Sequence, residues 1–358
     1  MHNHAIRIAA RLGALLVTML GGTAAIGGEH PPLLDGGIWQ IGPPLIAAFT
    51  DESLEQEVGV FRKLGMDIIL VQYSASQYDE ERGTYLAYVP NDTLPLQEEF
   101  KGRDPIGAIL RGADTNGVKV ILGGLLMPVT GQANYRRDLD IWTSPTVMQY
   151  RKQVLERYAG HKSLAGYYVP NEPNPDNLLS HGLDPQLMID ATAKVIDTVK
   201  GARPDLLIVK SIGLYMEPVR AEGKTTHRFA SIEYLDRFWR PWVSSLSKVD
   251  VWMVIDGVGT RLSNLEHTDR AQAWCKRLAG EFGKQFWVDV ECAFMDDRHN
   301  YPFKMEELEP SLRVAAKHGA KLITFDYAHY MSRHPQKEAA RRLHRDYGEY
   351  VMRMRAGN

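Results

Sequence analysis

The sequence predicts an α/β fold, a single (β/α)8 TIM barrel, on three observations. Four amphipathic segments end at a glycine and pass within three residues into an apolar, β-branched run; eight such runs can be counted; and the longer polar segments follow the runs. Helices alternating with near-continuous apolar strands form a parallel sheet covered on both faces. Eight strands close that sheet into a barrel, and the loops after the strands build its active site.

The strand candidates are 37–40, with 46–49 close behind, then 67–73, 119–125, 165–169, 206–212, 251–255, 286–290 and 322–327. Before the second of these, Leu54, Val58, Phe61 and Leu64 recur at helical spacing. Leu308, Leu312, Ala315 and Ala316 do the same before the last. Gly65, Gly117, Gly283 and Gly319 stand where a helix C-terminus takes a left-handed residue. A doubly wound sheet shares this alternation, but no Gly-x-Gly-x-x-Gly turn follows the first strand, so no dinucleotide site is read. No segment has the composition of a linker, and the barrel is assigned to 29–358.

With 24% charged residues and a net charge of -2, the chain has no basic footprint for nucleic acid. Arg7 and Arg11, the apolar run 12–26, and then Glu29, His30, Pro31 and Pro32 follow the order of a secretory signal peptide, assigned to 1–28. A retained anchor is the weaker reading, because the run is short for a span and Gly21 and Gly22 interrupt it. The expected location is periplasmic or secreted, off the membrane once the signal is removed. The two cysteines, Cys275 and Cys292, exclude a disulfide-dense scaffold. One bridge stays open, with two buried thiols favoured.

Two glutamates close strands. Tyr167-Tyr168-Val169-Pro170-Asn171-Glu172 ends the fourth and Trp287-Val288-Asp289-Val290-Glu291 the seventh. They are 119 residues apart, about 40 for each of three βα units. Glycosidic cleavage needs one protonated carboxyl at the leaving oxygen and one ionised carboxylate at the anomeric carbon, and two barrel-rim glutamates supply both. The bland alternatives are a helix N-cap or a loop carboxylate binding backbone amides for Glu172, and a structural Arg or Lys partner for Glu291. Asp289 shares the Glu291 face one layer lower and is read as a buried hydrogen-bonding group ahead of a catalyst.

Asn171-Glu172-Pro173 with Glu291 resembles glycoside hydrolase clan A. More closely, Phe61-Arg62-Lys63-Leu64-Gly65-Met66-Asp67, Gln72-Tyr73, the run 166–172 and Val290-Glu291 are similar to the bacterial family called domain of unknown function 4434. The resemblance spans about 37–330. It implies a retaining glycosidase with Glu172 as acid/base, Glu291 as nucleophile and Asn171 binding the sugar 2-hydroxyl. The chain departs from the clan where Gln72-Tyr73 replaces an arginine after strand two, and where Phe325, Tyr327 and Tyr330 stand in place of a sugar-stacking tryptophan.

Asn171, Gln72, Tyr73, Asp256, Tyr327 and Trp39 are the candidate substrate-binding residues, with Gln40, Asp326 and His329 also near strand ends. Asp256 could equally cap the turn 257–260. Trp142, Trp239 and Trp242 could stack on sugars, although aromatics that pack helices are commoner. No His-x-His or His-Glu-x-x-His spacing points to a metal, and no cofactor is expected. Lys210, in strand five, could form a Schiff base, but an ion pair with an interior carboxylate is favoured. No Gly-x-Ser-x-Gly elbow is present. The expected function is a retaining glycosidase acting on a neutral or weakly charged oligosaccharide or polysaccharide; the alternative is a barrel that binds carbohydrate without turnover.

Overall fold

The computed structural model describes residues 32–356, apart from 77, 128–134, 174, 176–177, 179–183, 215, 222–223 and 296–299. The segment read as a signal peptide lies outside the described residues. Eight parallel strands close into a barrel in chain order: β1 (Gly36–Trp39), β2 (Ile68–Val71), β3 (Lys119–Gly123), β4 (Leu164–Val169), β5 (Leu207–Ile212), β6 (Val251–Ile255), β7 (Gln285–Glu291) and β8 (Leu322–Phe325). β8 returns to β1 with Gly36 opposite Ile323 and Gly37 opposite Thr324. The fold is a (β/α)8 TIM barrel.

The helix Asp51–Lys63 shows how the sequence builds each unit. The Thr50 side chain accepts a hydrogen bond from the Ser53 amide, Asp51 and Glu52 stand at the positive end of the helix dipole, and Arg62 and Lys63 at the negative end. Leu54, Val58 and Phe61 form its buried face, and Gly65 ends it at φ 97°. Gly117 and Gly283 are left-handed too. Gly319 is not: it is needed because a Cβ there would lie 2.9 Å from Val288 Cγ2, so close packing replaces the expected left-handed turn.

The segment 46–49 is not a strand. Pro43 and Pro44 fix the backbone for a first helical turn, and Pro43–Ala48 is a short helix. The polar loop after β5 contains an antiparallel hairpin, Met216–Ala221 with Lys224–Phe229, and the loop after β7 holds a smaller one, Ala293–Met295 with Asn300–Pro302. Both cysteines are free and buried. No helix among the described residues is long and apolar enough to cross a membrane.

Inside the barrel, Ile38, Leu70, Ile121, Tyr168, Val209, Met253, Trp287 and Ile323 pack into a closed apolar plug. Any cavity must therefore lie above it, at the C-terminal ends of the strands. Gly123 is where backbones come closest at that end, since a Cβ would stand 1.9 Å from the Gln72 carbonyl oxygen. That partner is backbone and cannot swing away. Gly123→Ala is expected to destabilise the barrel by about 3 kcal/mol, a fall in Tm of roughly 4–5 °C by thermal unfolding of a barrel this long; an unchanged Tm would show that the β2 end yields freely.

Candidate active site

A cavity of about 510 Å³ opens at the C-terminal end of the barrel. Gln40, Gln72, Tyr73, Asn171, Glu172, Asp289 and Glu291 line it, with Phe325 at the end of β8. Period-two alternation accounts for the β7 residues: Trp287, Asp289 and Glu291 all face inward, so Glu291 stands at the mouth with Asp289 below it.

Glu291 is buried and held by a turn that sequence periodicity does not reveal. Its Oε2 accepts from the Thr260 amide at 3.0 Å and the Thr260 hydroxyl at 3.4 Å. The turn is shaped by Gly257 at φ 69° and Arg261 at φ 59°, and is stitched by Ser263 N to Gly257 O at 2.9 Å. Asp256 Oδ1 accepts from the Val258 amide at 3.1 Å, the turn-capping role weighed for it above. Gly259 allows the approach, since a Cβ there would lie 2.1 Å from the Ala293 carbonyl oxygen. Burial pushes the Glu291 carboxyl above its usual range, and the Thr260 amide and hydroxyl and the Gly259 amide oppose that rise by favouring the ionised form.

Glu172 stands on the loop after β4, with the following Pro173 restricting it to extended backbone. It is exposed to the cavity but crowded on its other sides. Burial pushes its carboxyl up to about 7; the Lys210 cation opposes this and the Glu291 charge adds to it. Lys210 is fully buried. Its Nζ donates to the Asn171 carbonyl and, at 3.0 Å, to the Ser211 carbonyl. The expected ion pair with an interior carboxylate is corrected: Val209 faces inward, so Lys210 points out of the barrel, away from Asp289. Burial pulls the amine down to about 7, with Glu172 acting to hold the proton.

Tyr73 is half-buried at the cavity wall. Burial first, then the charges of Glu172 and Asp326, raise its hydroxyl pKa, so it remains a hydrogen-bond donor. Asp256 does not line the cavity but lies beside Glu291, and the two carboxyls are within hydrogen-bonding reach of each other; burial and the Glu291 charge push Asp256 well above the carboxylate range. Gln72 Oε1, both amide atoms of Asn171 and Asp289 Oδ1 are buried and unpartnered.

Trp39 and Tyr327 are not brought to the cavity. Ile38 faces inward, so Trp39 faces the helices, where it stacks on Tyr327 at 5.5 Å and meets Phe61 edge-on. Tyr327 lies past the strand end, on a turn of helix that carries it outward, and its hydroxyl donates to the buried Glu57 at 2.9 Å. Asp326 caps that turn through the Ala328 amide at 2.8 Å and pairs with His329 at 2.6 Å. Trp142, Trp239 and Trp242 are fully buried among the helices. Thr260, Gly259 and the apolar wall residues Leu126, Met127, Met188, Leu214 and Leu262 are additions that the sequence did not single out.

A closed eight-strand barrel with a carboxyl-lined cavity at the strand C-termini has the fold of the TIM-barrel glycoside hydrolases. The chain belongs to the family described as domain of unknown function (DUF4434), which matches residues 34–339. A candidate alpha-L-fucosidase from Bacteroides thetaiotaomicron VPI-5482 superposes with a TM-score of 0.64 at 19% identity, over 91% of this chain and 98% of the other. A beta-galactosidase from Bacillus circulans sp. alkalophilus gives 0.56 at 13% identity, over 91% of this chain and 56% of that one. A GH53 catalytic domain from Ignisphaera aggregans gives 0.51 at 13% identity, over 84% and 86%. No match was found among curated proteins.

Proposed function

We propose that this barrel is a retaining glycoside hydrolase acting on a neutral or weakly charged glycan, with Glu172 as general acid/base and Glu291 as nucleophile. The observation that carries the reading is the contrast between the two glutamates: Glu291 has the Thr260 and Gly259 amides favouring its charge, while crowding and the Glu291 charge drive Glu172 up to about 7. Burial pushes both carboxyls up, but the Thr260 and Gly259 amides hold the charged form of Glu291, and a pair supported unequally in this way takes opposite roles, one ionised and one protonated. The carboxylate of Glu291 attacks the anomeric carbon while Glu172 gives its proton to the leaving oxygen. In the second step ionised Glu172 takes a proton from water, and that water displaces Glu291 with net retention.

Segment 1–28 would export the protein, placing the reaction in the periplasm or outside the cell. The test is covalent trapping. A panel of 2,4-dinitrophenyl 2-deoxy-2-fluoro glycosides, with an L-fucoside included because of the structural relative's description, is incubated with the protein and the peptides are weighed. The expected result is a fluoroglycosyl adduct on Glu291. Turnover of the parent glycoside with inverted configuration by NMR rules out the double displacement, and sugar binding with neither adduct nor turnover favours a carbohydrate-binding barrel.

A further inference from the structure

Asp289 has no part in the double displacement, yet it is placed unlike a structural carboxyl. It lines the cavity directly beneath Glu291, is 2% exposed, and its Oδ1 has no hydrogen-bond partner. The charged groups that act on it most strongly are Glu291 on its own strand, Asp256 after β6, Glu172 after β4 and Asp326 after β8, all acidic, with no lysine or arginine among them. Two more side chains of the same cavity, Gln72 and Asn171, hold buried amide atoms that are also unpartnered. Buried polar atoms in folded proteins are satisfied about nine times in ten. A group of them facing one cavity marks the hydrogen-bonding outline of a ligand rich in hydroxyls.

We propose that Asp289 is a substrate-contacting residue, whose Oδ1 hydrogen-bonds one ring hydroxyl of the sugar held between Glu172 and Glu291. The inference rests on the glycosidase reading and deepens it. Burial, reinforced by the surrounding carboxylates, pushes the Asp289 carboxyl well above its usual range, toward the protonated form that both donates and accepts. A hydroxyl is the natural complement, since it also gives and receives. A carboxylate or sulfate at that ring position would bring negative charge into a cluster made of acidic groups, and a deoxy carbon would leave Asp289 unsatisfied. The substrate class is therefore a neutral glycoside with a free hydroxyl on the ring carbon that faces the cavity floor.

The experiment pairs a protein deletion with a substrate deletion. The 4-nitrophenyl glycoside that the wild type cleaves fastest, and its monodeoxy analogues at each ring hydroxyl, are assayed with wild type and D289A. On the parent, D289A is expected to lose kcat/KM by roughly ten- to hundredfold. On one monodeoxy analogue the two proteins should agree within about twofold, because the contact is already gone. An equal loss on every analogue, or no loss on any, overturns the assignment. Should D289A fail to fold, D289S replaces it, since its hydroxyl is too short to reach. A wild type that neither binds nor cleaves any glycoside of the panel defeats the glycosidase reading and this inference together; cleavage with D289A indistinguishable on all substrates defeats this inference alone.

Discussion

Glu291→Ala is expected to lower kcat on a 2,4-dinitrophenyl glycoside by about 10⁴-fold or more, since the loss of a nucleophile leaves only direct attack by water. The variant retains Glu172, the cavity and the leaving group, so the lost step is specific. Sodium azide is small enough to occupy the vacated space and attacks from the Glu291 side. It should recover the rate at least about tenfold over the unassisted variant and give a glycosyl azide of inverted configuration, read by NMR. A loss under tenfold, or an azide product of retained configuration, would remove Glu291 from the nucleophile's place. Folding should not suffer. Glu291 shares its surroundings with Asp289 and Asp256, whose carboxyls its charge pushes upward, so deleting it relieves repulsion, and Tm should hold or rise.

How much of this was legible in the chain depends on which interaction fixes each residue. The barrel was, because strand burial and helix-terminating glycines leave local patterns: Gly65, Gly117 and Gly283 adopt the left-handed conformation that their position implies. Gly319 shows the limit, since it is demanded by contact with Val288 on the neighbouring strand. The two inward positions of β7 follow from period two alone. The same rule, applied to β1, turns Trp39 toward the helices, and Tyr327 is carried outward by a turn that begins only where the strand stops. What could not be read is the turn 257–263 that lays the Thr260 amide on Glu291, because its shape comes from loop dihedrals and the tight Gly259 contact. Nor does any local pattern show that the Lys210 amine is taken by the carbonyl of a residue 39 positions earlier.

Glu172→Gln separates the two halves of the proposed mechanism, and pH separates them again. A glycoside with a poor alkyl leaving group needs the proton, so kcat/KM should fall by roughly 10²- to 10⁴-fold. A 2,4-dinitrophenyl glycoside leaves without help, so kcat/KM should change little, while kcat falls because water loses its base in the second step. KM then falls with it, as the glycosyl enzyme accumulates. Equal losses on both substrates would contradict the acid/base role. The first step needs Glu172 protonated, so wild-type kcat/KM on the alkyl glycoside should decline as pH rises through about 7, and that limb should vanish in Glu172→Gln. The acid limb, set by protonation of Glu291, should remain in both. Lys210 supplies the sign of a further shift: its cation favours ionised Glu172, so Lys210→Met should move the alkaline limb to higher pH. A limb that stays in place in Lys210→Met would mean that the amine only pins the Asn171 backbone and leaves the charge of Glu172 untouched.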